Sequence, residues 1–218
     1  MYLSRLQLNP QNRQVWRQII SNPYRIHQMV MRGFPADTNR EKAKVLYRLE
    51  IRDNTPVLIV QSAVEPNWST VNPDYLLSPD PFDPWLNPAV KPVILPLQTD
   101  QILSFRLCAN PTLKKVRRKE NGERRNSNRV PLLREEQQLE WLQRQAVAGG
   151  FTVLRATISQ SQQQEIRKER GAKPITLYTL QYDGYLRVDQ PDKLQKTILT
   201  GLGPSKAFGC GLLSLARV

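Results

Sequence analysis

Twice along this chain the hydrophobic period changes in the same order, from strand alternation to helical spacing and back to paired strands. Few folds accept that order twice. Residues 2–8 alternate, with Tyr2, Leu3, Leu6 and Leu8 apolar around Ser4, Arg5 and Gln7, which predicts a strand. Residues 12–21 place Val15, Trp16, Ile19 and Ile20 at helical spacing. Asn22-Pro23 then opens a second helix, Asn as its cap and Pro at its first position. That helix carries Ile26, Met29 and Val30 and ends near Gly33. Residues 47–52 and 57–62 read as strands joined by the turn Asp53-Asn54-Thr55-Pro56. Strand, helix and paired strands make the first part of a ferredoxin-like unit.

Residues 71–92 are rich in Pro, Asn, Asp and Ser and read as a loop or boundary. Beyond them the order returns. Residues 101–109 form a strand, 135–148 a helix closed by Gly149-Gly150, and 151–159 and 175–182 two strands around a charged connection. Residues 185–188 are short and extended, 191–200 helical, and 212–215 a closing strand. The expected class is therefore α+β, two tandem ferredoxin-like (RRM-like) β-α-β-β-α-β domains, at 1–92 and 93–218.

Charge narrows the partners. Lys and Arg number 32 against 19 Asp and Glu, a formal net charge of +13. That excess points to a polyanion, with nucleic acid first. A membrane surface would call for a basic amphipathic helix with an aromatic face, and none stands out. No apolar run reaches the roughly 18 residues of a transmembrane helix, and no secretory leader is seen. Cys108 and Cys210 lie far apart in sequence and read as buried free thiols of a reduced, cytoplasmic protein. With one His they are also a poor metal inventory, so neither metal nor cofactor is expected.

Four places carry chemistry. His27, the only histidine, titrates near neutrality and is a natural proton shuttle. Tyr24 precedes it by three residues and shares its helical face, with Arg25 and Arg32 in the same helix. Cleaving RNA without a metal needs a base for the 2′-OH, an acid for the departing 5′-oxygen and positive charge at the phosphate. Those residue types supply the parts, although a lone helical His is usually an ordinary surface or satisfied residue. The second place is the run Lys114, Lys115, Arg117, Arg118, Lys119, Arg124, Arg125 and Arg129, read as a basic loop around the Asn121-Gly122 turn. Here a solvated loop and a phosphate-contacting one stay open, the local excess of charge favouring the second. The third is the connection with Arg155, Arg167, Lys168 and Arg170, a basic hairpin suited to the backbone of a folded RNA stem. The fourth is Gly201-Leu202-Gly203-Pro204-Ser205-Lys206-Ala207-Phe208-Gly209-Cys210-Gly211, whose glycines let backbone N–H groups approach an anion. Gly201, Gly203, Ser205, Lys206, Phe208 and Gly209 are its candidate contacts. The tryptophans sit at core spacing and read as packing.

That last stretch, continued by Leu212-Leu213-Ser214-Leu215-Ala216, resembles the C-terminal glycine-rich signature of CRISPR-associated repeat-RNA endoribonucleases, and more closely their CasE subfamily. Met1-Tyr2-Leu3-Ser4-Arg5-Leu6, Pro23-Tyr24-Arg25-Ile26-His27 and Arg32-Gly33-Phe34-Pro35 agree with it. So do Leu58-Ile59-Val60-Gln61-Ser62-Ala63, Pro66-Asn67-Trp68-Ser69 and Phe105-Arg106-Leu107-Cys108-Ala109-Asn110-Pro111-Thr112. The blocks follow the family's order over nearly the whole chain. The chain departs from the pattern at Pro204 and Ser205, leaving Lys206 as the loop's only charge and giving backbone donors the greater weight there.

The resemblance implies the same tandem architecture and a metal-independent endoribonuclease. Such an enzyme cuts CRISPR precursor RNA at the base of each repeat's stem-loop. It leaves 2′,3′-cyclic phosphate and 5′-OH ends and keeps the guide RNA within the type I-E Cascade complex. His27 would be its general acid or base, and Tyr24 would orient the ribose or support the leaving oxygen. The implied partners are the repeat RNA and other Cascade subunits, with no membrane, a monomer outside the complex and a prokaryotic cytoplasm. The rivals are a binding module that does not cut, an assembly subunit and a metal nuclease.

Overall fold

The structure, a computed structural model, describes residues 1–78, 86–118, 124–166 and 175–218, with positions 115–118 and 124–128 described by their backbone alone. Lys119, the Asn121-Gly122 turn, Trp85, Arg167, Lys168 and Arg170 lie outside the described residues. Lys115, Arg117, Arg118, Arg124 and Arg125 are placed only by register.

The first unit contains β1 (Tyr2–Gln7), a π-helical turn (Val15–Ile20), α1 (Pro23–Met31), β2 (Leu46–Arg52), β3 (Thr55–Ser62) and β4 (Ala89–Pro92). Its strands lie in the order β2-β3-β1-β4, antiparallel throughout. Leu6 faces Leu58, and Tyr47 faces Val60, across the ladders. Strand alternation sends these side chains to one face, where they pack with Ile26, Met29 and Val30 of α1. Asn22 caps α1 as expected, its side chain accepting the Tyr24 N–H at 3.0 Å with Pro23 in the first turn.

The β2–β3 turn is shorter than the four residues read from sequence. Arg52 pairs with Thr55, so only Asp53 and Asn54 form it, at φ 47° and 62°. Positive φ at both central residues matches the twist of a hairpin, and Asp and Asn tolerate it. Pro56 therefore enters the strand. Between β3 and β4 the described chain makes two single turns, Trp68–Thr70 and Pro73–Tyr75, capped by Asn67 and Asn72.

The second unit contains β5 (Ile102–Ala109), β6 (Thr112–Arg118), β7 (Arg124–Pro131), α2 (Glu135–Gly149), β8 (Phe151–Ile166), β9 (Ile175–Val188), α3 (Pro191–Thr200) and β10 (Leu213–Arg217). The sheet order β10-β5-β9-β8 is the ferredoxin-like order again, with β6 and β7 set apart as a two-stranded ribbon. The fold is thus two ferredoxin-like units, each with its own apolar cluster. Trp141 of α2 stacks near Tyr182 of β9 at 6.5 Å between centroids, and Trp68 is buried against Phe34. These tryptophans are packing, as their spacing indicates.

Three further expectations need correction. The described parts of the basic run, 114–118 and 124–129, are not an open loop but the paired strands of the antiparallel β6–β7 ribbon. Its charges hide the alternation by which strands are recognised. Strands β8 and β9 also run past the sheet, to Ile166 and from Ile175, on polar residues such as Gln160–Gln164 that carry no burial signal. Asp183-Gly184 does not interrupt β9: Gly184 pairs with Ala156, close to a bulge between Val153 and Arg155. A Cβ there would lie 2.0 Å from the Arg155 carbonyl oxygen.

The units are joined by buried polar contacts. Arg48, 4% exposed, pairs with Glu50 at 2.8 Å and reaches across to donate to the Leu212 carbonyl at 3.3 Å and Ser214 Oγ at 3.0 Å. Gln61 Nε2 donates to the Ile198 carbonyl at 2.8 Å. Cys108 and Cys210, though distant in sequence, are free thiols in hydrogen-bond contact, Cys210 fully buried and Cys108 only partly so.

Candidate active site

The site begins with the helix that Asn22 starts. Tyr24 and His27 lie one turn apart, ring centroids 6.5 Å apart and planes at 38°, so each ring is free to meet a ligand separately. The far end of α1 is fixed by two of the sequence blocks packing together. The Asn67 N–H donates to the Gly33 carbonyl at 2.8 Å, Thr70 Oγ1 to the Arg32 carbonyl at 2.9 Å, and Gly33 lies directly under the Trp68 ring. A helix held at both ends holds His27.

His27 is half-buried, and its Nδ1 is buried with no hydrogen-bond partner among the described residues. Nε2 is thus the nitrogen left to meet a substrate. Burial, and then the Arg40 guanidinium, push the imidazole below its usual pKa of 6.5. The neutral ring, a competent proton acceptor, therefore predominates at neutral pH.

Arg40, whose guanidinium pairs with Glu41 at 3.4 Å, bears on both this helix and the glycine-rich loop through its charge. Its charge also acts on Lys206, whose ammonium is pushed down by burial and then by Arg40. Tyr47 fastens the two segments together, its hydroxyl donating to the Ala207 carbonyl at 2.7 Å and lying 3.3 Å from the Pro23 carbonyl. Burial pushes the Tyr47 hydroxyl well above its ordinary range, so it stays protonated as a donor. Residues 27, 40 and 206 thereby share one electrostatic neighbourhood. Arg40, Tyr47 and Asn110 were missed in the sequence, and only the basic run Asn39-Arg40-Glu41-Lys42-Ala43-Lys44 before β2 could have signalled the first of them.

Within the loop, Lys206 turns inward, its Nζ donating to the Thr200 carbonyl at 2.6 Å at the C-terminal end of α3. Ser205 takes a left-handed backbone at φ 62° and accepts from Asn110 Nδ2 at 2.8 Å. Phe208 is half-buried. Gly201 abuts Leu46, Gly203 abuts Trp141 and Gly209 lies over Tyr47, so the glycines let the loop wedge between the units. At Gly211 the obstacle is backbone: at φ +92°, its Cβ would lie 2.8 Å from the Leu202 carbonyl oxygen. Gly211→Ala is expected to destabilise the protein by about 1–3 kcal/mol, read as a lower midpoint in urea with an unchanged slope.

The other candidates are placed elsewhere. Arg25 and Arg32 line a separate recess of about 450 Å³ with Arg17, on the opposite flank of α1 from His27. Arg155 is exposed on β8, and Lys114 and Arg129 are exposed at the base of the ribbon. The ribbon's register sets Lys114 opposite Arg129, Arg117 opposite Arg125 and Arg118 opposite Arg124. Like charges facing across a ladder repel, and a polyanion relieves that repulsion. No group of three or more His, Cys, Asp or Glu that could hold a metal is found among the described residues.

Against this geometry, residues 1–217 match the family described as CRISPR associated protein. The chain belongs to that family. As a member, it is 31% identical over 230 residues to the CRISPR-associated endoribonuclease Cse3 of Thermus thermophilus, covering 99% of this chain and 100% of that protein. It is also 31% identical over 201 residues to the CRISPR system Cascade subunit CasE of Escherichia coli K12, covering 88% of this chain and 91% of that one. Its fold superposes on Thermus thermophilus Cse3 bound to an RNA representing a pre-cleavage complex. That match has a TM-score of 0.81 and 30% identity over 99% of this chain and 98% of that one. Among the described residues of this family member, no helix is long and apolar enough to cross a membrane.

Proposed function

We propose that this chain is a metal-independent endoribonuclease that binds the stem-loop of CRISPR repeats in precursor RNA and cuts at its base. The carrying observation is the junction of α1 with the glycine-rich loop, where the Tyr47 hydroxyl ties the start of the His27 helix to the Ala207 carbonyl. Its kinship to an endoribonuclease and to a Cascade subunit supports the same reading.

In the proposed reaction the substrate's own 2′-oxygen attacks the adjacent phosphorus. His27 Nε2 takes the 2′-OH proton, Arg40 and loop N–H groups stabilise the growing phosphorane charge, and the P–O5′ bond breaks. Tyr24, on the same face, hydrogen-bonds the departing O5′, which collects its proton from solvent. The products are a 2′,3′-cyclic phosphate and a 5′-OH. The β6–β7 ribbon, its Lys114 and Arg129 end exposed, engages the backbone of the stem. The guide RNA stays bound and is carried into Cascade in a prokaryotic cytoplasm, the chain being a monomer before assembly. The residue ranges 1–92 and 93–218 serve as its two domains.

Mass spectrometry of the fragments tests this: a cyclic phosphate on the upstream piece is expected, and a 3′-OH with a 5′-phosphate would overturn it. The pH profile tests the role given to His27. With the imidazole pushed below its ordinary range, cleavage should hold level through neutral pH and fall in acidic buffer as the ring protonates. A rate that rises on acidification would make His27 the acid instead.

A further inference from the structure

Two sulfurs that the proposed reaction does not use meet where the units join. Alternation along β5 turns Leu103, Phe105 and Leu107 into the core of the second unit, and Ser104, Arg106 and Cys108 to its other face. The end of the glycine-rich loop runs beside that strand. The Gly211 N–H donates to the Cys108 carbonyl at 2.7 Å, and Leu213 lies opposite Leu107 in the ladder. Arg48 Nη1 bridges the same two segments, donating to the Arg106 carbonyl at 3.4 Å and the Leu212 carbonyl at 3.3 Å. One backbone hydrogen bond thus spans the gap between Cys108 and the residue next to Cys210. The two thiols interact directly across it, the close approach that a disulfide requires.

The pair is asymmetric. Cys210 is fully buried between Gly209 and Gly211, whereas Cys108 keeps part of its surface open. Contact with Cys210, and then the Arg48 guanidinium, hold the Cys108 thiol below its ordinary range. The same contact, and then complete burial, raise the Cys210 thiol. An oxidant therefore meets Cys108 first, and Cys210 stands behind it with its proton.

We propose that Cys108 and Cys210 form an oxidation site, which a peroxide closes into a disulfide that staples the glycine-rich loop to β5. The Cys108 thiolate attacks one oxygen of hydrogen peroxide, the O–O bond breaks, and the departing hydroxide takes a proton and leaves as water. Cys108 is then a sulfenic acid. The Cys210 sulfur attacks the Cys108 sulfur, the S–O bond breaks, and the hydroxide leaves with the Cys210 proton as a second water. The two thiols lose two electrons and two protons, and the peroxide is reduced to two waters. The new bond encloses β6 to α3, about 100 residues, and forms without moving the loop because the thiols already meet. A reducing thiol that reaches Cys108 reverses it.

The test treats the wild-type chain, Cys108→Ser and Cys210→Ser with a modest excess of hydrogen peroxide. Each is then read by intact mass, thiol titration in denaturant and thermal melting. The wild type should lose both thiols and two hydrogens, run as a single chain on a non-reducing gel, and melt about 5–15 °C higher. Dithiothreitol should return it to the starting melting point. Cys210→Ser, lacking the resolving thiol, should stop at the sulfenic acid and be trapped by dimedone, while Cys108→Ser keeps its buried thiol free. Two thiols surviving in the wild type overturn the inference, as does a disulfide between two chains. A disulfide that leaves the melting point unchanged or lower overturns the staple, and a dimedone adduct on Cys108→Ser alone overturns the order of attack. The wild-type measurements decide the site even where a serine variant fails to fold.

Discussion

Replacing His27 with alanine is expected to slow single-turnover cleavage of a cognate repeat hairpin by about 10²–10⁴-fold while changing its affinity less than about threefold. Affinity and chemistry separate because His27 occupies a different element from the exposed ribbon cations. Folding should also survive, since His27 is only half-buried and its Nδ1 makes no bond that the substitution would break. Loss of cutting with binding intact is the enzyme's signature. Cutting at the wild-type rate would reduce the chain to a binding module that carries an incidental histidine.

Raising monovalent salt from about 50 to 200 mM should weaken hairpin binding by about 10³-fold. That magnitude follows from the ribbon, whose register sets six cations in three like-charge pairs. If each neutralises a phosphate, about six counterions leave on binding, the lower end of the range for such a loss. Replacing Lys114 and Arg129 together with Gln should flatten the log–log salt slope by roughly two, one for each contact removed. A slope near zero in the wild type would show that the ribbon does not meet the backbone. The chain would then be an assembly subunit rather than a reader of free RNA.

The local signals in the chain were strong where one residue does one job. Asn22-Pro23 announced the start of α1, and the repeated order of periods announced both units, because caps and buried faces act over a few neighbours. What stayed hidden acts over long separations or without burial. Arg40 stands 13 residues after His27 and 166 before Lys206, and only the tertiary fold brings its charge to bear on both. Lys206, the loop's only charge, donates to the Thr200 carbonyl at the end of α3, a contact decided by the three-dimensional position of that carbonyl. The ribbon and the outer parts of β8 and β9 were obscured because exposed strands need no apolar alternation. Arg25 and Arg32 share a helix with His27, yet the 100° step per residue turns them to its far flank.

The most direct measurement is cleavage of a labelled repeat hairpin by the wild-type chain in excess EDTA, with ribose or 2′-deoxyribose at the cut nucleotide. Full cutting of the ribose substrate and none of the deoxy substrate is the expected pair, because the nucleophile is the 2′-oxygen and His27 moves its proton. Cutting of the deoxy substrate, or cutting of the ribose substrate that stops in EDTA, would contradict the mechanism.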